Sequence, residues 1–303
     1  MPSRRSGFCG QDGAGGRRPT AETRDVVHAQ QGRLESAGER ALDLRVIGCH
    51  GGETPRHRTS AFVVDERIAI DAGSLTSGME LEAQCALQAV LVSHAHLDHV
   101  RDLATIADNR LQKGADPLVI AGTRQTLGIL KKHFFNDLLW PDFAKLPSVR
   151  RPAIRYLELK LEKPVVLAGY EVNAIPVSHT IATCGFTLRG ADGGVLAYSG
   201  DTGPTDRLWE VLAGTEHLKA LIMEVSFPNA EGRLARASGH HTPETLAKDL
   251  AKLGLRPGHP RVKELPTLLY HIKPAFQVAV ERECARLKGL NLTVCGLGDH
   301  FIL

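Results

Sequence analysis

Residues 93–100 read Ser-His-Ala-His-Leu-Asp-His-Val. They follow directly on the run Ala89-Val90-Leu91-Val92, which has the length and composition of a buried strand. Three histidines and an aspartate fall within six positions, 94 to 99. On an extended segment leaving a strand, residues two apart aim to the same side, so His94 and His96 point together. Asp98 and His99 follow as the chain turns. Neutral imidazole is a good ligand for zinc, iron or manganese, and carboxylate suits the harder ions. Four such groups exceed what one tetrahedral ion takes from a single loop. The spacing fits two ions, one on His94 and His96, the other on Asp98 and His99. A lone loop histidine is ordinarily a satisfied polar residue, but four ligand-type residues at this spacing behind a buried strand are not explained that way.

Two centres need further ligands, and three later strand ends offer them. Ile175-Pro176-Val177-Ser178 runs into His179, Leu196-Ala197-Tyr198-Ser199-Gly200 into Asp201, and Leu268-Leu269-Tyr270 into His271. Each alone is ambiguous; in this order they complete a set.

The rest of the chain sets the frame. Its 303 residues are 43% hydrophobic and 23% charged, ordinary for a globular protein with a sizeable core. No apolar run approaches the ~18 residues that span a membrane. The N-terminus has neither a secretory h-region nor the composition of a transit peptide, so a cytoplasmic protein is expected. Cysteines at 9, 49, 85, 184, 284 and 295 form no CxxC pair and read as free, mostly buried thiols. Net charge is +3, and residues 1–40, with seven Arg/Lys and five Asp/Glu, carry +2 of it. The remainder is nearly neutral, which argues against a nucleic-acid surface.

Residues 1–40, Gly- and Arg-rich without apolar periodicity, read as a disordered tail. A single domain is expected over 41–303. Strand-length apolar runs recur at 42–48, 61–64, 67–70, 89–92, 118–120, 165–167, 172–175, 195–198, 220–223 and 267–270. Helices are predicted over Gln125–Leu139, with Leu127, Leu130, Phe134 and Leu138 on one face; over Pro243–Leu253, capped by Thr242; and over Ala275–Leu287. Many strands with interspersed helices predict one α/β domain, sheets inside and helices outside.

The series HAHLDH (94–99), His179, SGDTG (199–203) and His271 resembles the ligand series of metallo-β-lactamase-fold hydrolases, over roughly residues 43–303. The resemblance implies an αββα sandwich with the metals where the loops of its two sheets meet. It implies His94, His96 and His179 on one divalent ion, Asp98, His99 and His271 on the other, and Asp201 bridging. Zinc is the expected metal, with manganese or iron as alternatives. Two ions ~3.5–4 Å apart can stabilise both the attacking and the leaving oxygen of an in-line displacement at phosphorus, which favours phosphodiester chemistry.

Such a reaction needs an acid for the leaving alkoxide. Glu224 ends the run Ala220–Met223, and Gly239-His240-His241-Thr242 precedes a predicted helix. The pair resembles the phosphodiesterase branch of the superfamily, where a glutamate and the histidine of an HxT motif support the leaving group. His240 is the expected acid, oriented by Glu224, and Asp98 doubles as ligand and catalytic candidate. His241 is the rival and reads as a surface-loop residue. HAHLDHV, the Met223–Asn229 run, SGHHTPETLAKDL (238–250) and YHIKP (270–274) resemble the class II 3′,5′-cyclic-nucleotide phosphodiesterases more narrowly. That implies hydrolysis of a small cyclic nucleotide, cAMP foremost, to the 5′-monophosphate. The sequence departs from that signature at Asp102, where a small residue is usual, and at Ala107-Asp108.

A tRNA 3′-end endonuclease of the same superfamily is the alternative; it would need a basic, Gly-rich arm inside the fold. A β-lactamase or thioester hydrolase leaves Glu224 and His240 unexplained, and a non-catalytic scaffold leaves seven ligands unexplained. A homodimer is allowed for, though no residue argues for it.

Overall fold

Along Ala89–Val92 the side chains alternate between two apolar environments. Ala89 and Leu91 enter one cluster, Val90 and Val92 another, and all four are buried. A strand covered on both faces reads as a continuous apolar run. The same alternation recurs across the molecule, a computed structural model that describes residues 41–255 and 263–303. The tail expected over 1–40 lies outside the described residues.

Two seven-stranded sheets carry the fold. The first comprises β1 (Asp43–Gly48), β2 (Ala61–Val64), β3 (Ile68–Ile70), β4 (Ala89–Val92), β5 (Leu118–Gly122), β6 (Ile154–Glu158) and β14 (His300–Ile302), in the order β14-β1-β2-β3-β4-β5-β6. The second comprises β7 (Val165–Leu167), β8 (Tyr170–Pro176), β9 (Cys184–Arg189), β10 (Val195–Tyr198), β11 (Leu218–Glu224), β12 (Thr267–Tyr270) and β13 (Leu292–Val294), in the order β13-β12-β11-β10-β9-β8-β7. Each sheet is antiparallel in one half and parallel in the other, the change falling between β3 and β4 in the first and between β10 and β11 in the second.

Between the sheets lie Phe62, Ile70, Leu91, Phe186, Tyr198 and Tyr270 in one core. The outer face of the first sheet packs on α1 (Leu75–Gly78), α4 (Leu103–Lys113) and α5 (Arg124–Ile129) through Leu75, Leu103, Ile106 and Leu127, with α2 (Leu81–Ala86) against α4 and α3 (Leu97–Val100) inside the histidine segment. The outer face of the second packs on α6 (Arg207–Ala213), α8 (Pro243–Leu250) and α9 (Gln277–Cys284) through Trp209, Leu212, Leu246 and Val280. These are the four layers of the expected αββα sandwich. A further helix, α7 (Gly232–Ser238), leads into Gly239. Among the described residues no helix is long and apolar enough to cross a membrane. Cys49, Cys85, Cys184, Cys284 and Cys295 are free thiols.

One local expectation is corrected, and one departure from the family signature gains a structural account. The helix expected to run to Leu139 is α-helical only to Ile129, continues as a π turn over Leu130–Phe134 and stops. The Asn136 side chain accepts from the Leu138 and Leu139 amides, and Asp137 takes a left-handed φ of 62°. Leu138, read as part of the apolar face, is 91% exposed. The departure is Asp102, where the phosphodiesterase signature has a small residue. It is buried, and one of its oxygens accepts from both the Thr76 amide (2.8 Å) and the Thr76 hydroxyl (2.6 Å), tying α1 to the start of α4. The departure therefore has a structural use. The expected Thr242 cap is present, in a reciprocal box with Thr245.

Candidate metal centre

The ends of β4, β8, β10, β11 and β12 deliver the expected residues to one place. His94 Nε2 lies 3.0 Å from His96 Nδ1, which lies 3.2 Å from His179 Nε2. His99 Nε2 lies 3.4 Å from His271 Nε2, and Asp98 Oδ2 is 3.3 Å from His271 Nε2. Asp201 Oδ2 stands between the two groups, 3.8 Å from His94, 3.3 Å from His99 and 3.2 Å from His271. The sets His94–His96–His179 and Asp98–His99–His271 each bring one ligand atom per residue close enough to share an ion. His96, His179 and Asp98 are only partly buried and mark the open side, whereas His94, His99, Asp201 and His271 are buried.

The hydrogen bonds behind the ligands show whether these residues fit a metal. His179 Nδ1 donates to the Gly239 carbonyl at 2.9 Å, leaving a lone pair on Nε2. Ser93 Oγ donates to Asp71 and therefore accepts from His94 Nδ1 at 3.0 Å, leaving a lone pair on His94 Nε2. His99 Nδ1 donates to Asp71 Oδ2 at 2.7 Å. Ser226 Oγ, 2.9 Å from both, donates to Glu224 Oε2 and accepts from His271 Nδ1. The inward nitrogens of all four rings are thus acceptors, facing other acceptors and carboxylates. Such a convergence repels itself unless a cation sits at its centre. This donor set suits a divalent ion.

The proton affinities tell the same story. Burial, aided by neighbouring His99, holds His94 well below the ordinary imidazole range. Burial also opposes a charged His99, but Asp201 and Asp71 outweigh it and raise His99 well above that range. Burial works against the Asp201 carboxylate, yet His271 and His99 hold it well below the usual carboxylate range. The buried carboxylates demand positive charge at the centre of the cluster, which a divalent ion would supply.

Four residues of this scaffold were not singled out from sequence: Asp71, Ser93, Ser226 and Gly239. Asp71 accepts from the Ser93 amide, the Ser93 hydroxyl, His99 Nδ1 and the Tyr198 hydroxyl, at 2.6–2.8 Å. A signal existed, since Ile68-Ala69-Ile70-Asp71 ends a strand on an acid as the segment before Asp201 does. Gly239 has a φ of 68°, and a Cβ there would meet His179 Nδ1 at 3.0 Å, so glycine is what lets its carbonyl reach the ring. Asp71→Asn, which can no longer accept from every donor, is expected to weaken metal affinity about 10–100-fold. Chelator competition would measure this, and unchanged affinity would rule out the orienting role of Asp71.

His240 belongs to neither expected ligand set, although its ring nitrogen also comes close enough to His179 and Asp201 to share an ion with them. Its ring stacks on His271 at 5.1 Å and lies 4.9 Å from His179 and 5.7 Å from Phe227. Its Nδ1 is 3.5 Å from Glu224 Oε1 and, though buried, has no hydrogen-bond partner among the described residues. Burial pushes His240 down to about 4, with Asp201 opposing and Lys273 reinforcing the shift. Burial pushes Glu224 up, against the pull of His241. His241 is not the surface residue expected: it is fully buried, its Nδ1 3.0 Å from Thr245 Oγ1 and its Nε2 3.7 Å from Asp249, turned into the second sheet's helical layer. Its backbone amide donates to Glu224 Oε1 at 2.8 Å.

Comparisons with known proteins agree with this architecture. The chain is 29% identical to the probable 3′,5′-cyclic-nucleotide phosphodiesterase of Yersinia pestis, over 80% of this chain and 82% of the relative. It is 28% identical to the 3′,5′-cyclic-nucleotide phosphodiesterase of Aliivibrio fischeri, over 88% and 92%. Among solved structures, unliganded yeast PDE1 superposes with a TM-score of 0.76 at 18% identity, over 87% of this chain and all of that one, a likeness of fold. The model of the beta-lactamase superfamily domain matches residues 67–263, from β3 through β11 and the helices that follow it. With that match spanning most of the described fold and all but one of the seven expected ligand positions, the chain belongs to the beta-lactamase superfamily.

Proposed function

We propose that this protein is a dinuclear metal-dependent phosphodiesterase that hydrolyses 3′,5′-cyclic nucleotides to 5′-monophosphates. The observation that carries it is His240: a buried imidazole outside both ligand sets, beside Glu224 and stacked over His271. A plain metal-binding scaffold has no use for that pair. The substrate class comes from the relatives, both named cyclic-nucleotide phosphodiesterases and both matched over most of their length. cAMP is the substrate of choice in this reading.

His94, His96 and His179 would hold one ion and Asp98, His99 and His271 the other, with Asp201 between them. Zinc best suits five imidazoles and two carboxylates, manganese and iron being the alternatives. When bound, the ions would supply Lewis-acid polarisation of the phosphate and a nucleophile at neutral pH. The chain's own residues do the rest. Hydrolysis adds a water oxygen to phosphorus, breaks the P–O3′ bond and puts a proton on O3′. His240, with Nδ1 facing Glu224, would give that proton from Nε2; burial lowers its proton affinity in the free site, and an anionic diester beside it would favour the charged ring that donates. Glu224 faces Nδ1 of His240 and, through Ser226, fixes the tautomer of His271, so one carboxylate stands behind both acid and ligand. Lys273, near enough for its charge to depress the proton affinity of both His240 and His271, adds positive charge where an anionic diester would sit. Free thiols throughout the described core suit the cytoplasm.

The test is turnover of 3′,5′-cAMP by protein loaded with defined zinc or manganese, beside a precursor tRNA and bis-p-nitrophenyl phosphate. Metal-dependent release of 5′-AMP is expected. Cleavage of the tRNA with no cyclic nucleotide turned over would replace this reading with that of a tRNA 3′-end endonuclease.

A further inference from the structure

On the open side of the metal centre the chain leaves a cavity of about 360 Å³, and His179 forms part of its wall. Its remaining walls come from three separate places: Thr123 and Gln125 at the start of α5, Leu161 before β7, and Val177, Ile181 and Thr183 in the turn between β8 and β9. The volume is within the ~300–1,000 Å³ of small-molecule sites. The lining is mostly aliphatic, and Leu161 remains 44% exposed at its edge. An apolar slot sharing a wall with a metal ligand takes the part of a phosphodiester that is not phosphate.

The polar groups in the slot are unequal. Thr123 Oγ1 caps α5 by accepting from the Thr126 amide and also meets the Thr126 hydroxyl. Thr183 Oγ1 donates to the Ile181 carbonyl at 2.9 Å. Gln125 alone among these three has no side-chain hydrogen bond to any described residue, so its amide has both a donor and an acceptor to offer. A flat heteroaromatic ring with polar edges matches aliphatic faces closed by one amide, and a glutamine amide pairs in bidentate fashion with the N6/N7 edge of adenine.

Resting on the phosphodiesterase reading above, we infer that this cleft holds the nucleoside of the cyclic nucleotide, its base between Leu161, Val177 and Ile181 and its edge read by Gln125. The arrangement makes the cleft the source of base preference, separate from the metals that handle the phosphate. Thr123–Gln125, Leu161 and 176–183 are distant in sequence and meet only in the fold.

The experiment uses the metal-loaded full chain, with adenosine as a phosphate-free probe. Adenosine is expected to compete with cAMP, and Ile181→Trp, which fills the slot, is expected to abolish adenosine binding by calorimetry. Gln125→Ala, at an exposed position that leaves the core intact, is expected to raise KM for cAMP about ten-fold relative to cGMP while kcat changes little. Adenosine that fails to compete, or that binds wild type and Ile181→Trp equally, overturns the inference while cAMP turnover by the wild type leaves the function standing. Adenosine binding that responds to Ile181→Trp in a protein that cuts no cyclic nucleotide would sustain the cleft and remove the function.

Discussion

Asp201→Ala is expected to cost the protein at least one metal ion and on the order of 10³-fold in turnover. The size follows from where the carboxylate stands. Its Oδ2 lies within 3.2–3.8 Å of His94, His99 and His271, which come from both proposed ligand sets, and it is 2% exposed. Two divalent ions in a buried site need negative charge close by, and without Asp201 the ligand sets keep Asp98 and five neutral imidazoles. Lewis-acid stabilisation of a phosphoryl transition state is worth several kcal/mol, and each ~1.4 kcal/mol is a factor of ten. Metal content by plasma mass spectrometry on zinc-loaded protein, with circular dichroism to verify folding, gives the answer. Full occupancy of a folded Asp201→Ala protein would contradict the bridging position.

His240→Ala should behave in the opposite way, keeping its metal and losing turnover on the order of 10²-fold or more. His240 belongs to neither of the proposed ligand sets; it meets the face of His271, the edge of His179, the Phe227 ring and Glu224. Removing it takes away a proton donor and leaves the ligand tautomers fixed, because those depend on Asp71, Ser93, Ser226 and Gly239. The loss should shrink for a diester whose leaving group needs no proton, such as p-nitrophenolate, and this separates an acid from a residue that merely packs. Near-normal cleavage of cAMP, or an equal loss on both substrates, would end the acid assignment. The two variants together divide the site into a part that binds metal and a part that completes the reaction.

The histidine cluster was legible because its ligands are local: four lie within six positions, directly behind a strand whose unbroken apolar composition announces burial. The later ligands were legible for a related reason, each ending an apolar run, so a reader needs only the order of strands and not their arrangement. Thr242 before Pro243 likewise gave a helix start, since a cap is a relation between neighbours.

Other features depended on distance along the chain. Asp71 meets Tyr198 across 127 positions and Ser226 meets His271 across 45, so nothing near either residue shows its partner. β9, Cys184–Arg189, lacks an unbroken apolar run because Gly185 and Thr187 interrupt it; its pairing with β8 and β10 makes it a strand. The helix after Arg124 ended early because Asn136 turned its side chain back on the Leu138 and Leu139 amides, a local competition that an apolar periodicity does not register. His240 and His241 are adjacent and identical in type, and sequence could rank them only by resemblance. The fold separates them: one faces Glu224 and the ligands, the other is buried against Thr245 and Asp249. The sequence by itself determined which groups would converge at one end of the strands, because ligand type and strand-end position are written locally. Only the tertiary structure decided which nitrogen each ring turns inward, since a tautomer is set by the hydrogen bond on the ring's far side, and that partner comes from elsewhere in the chain.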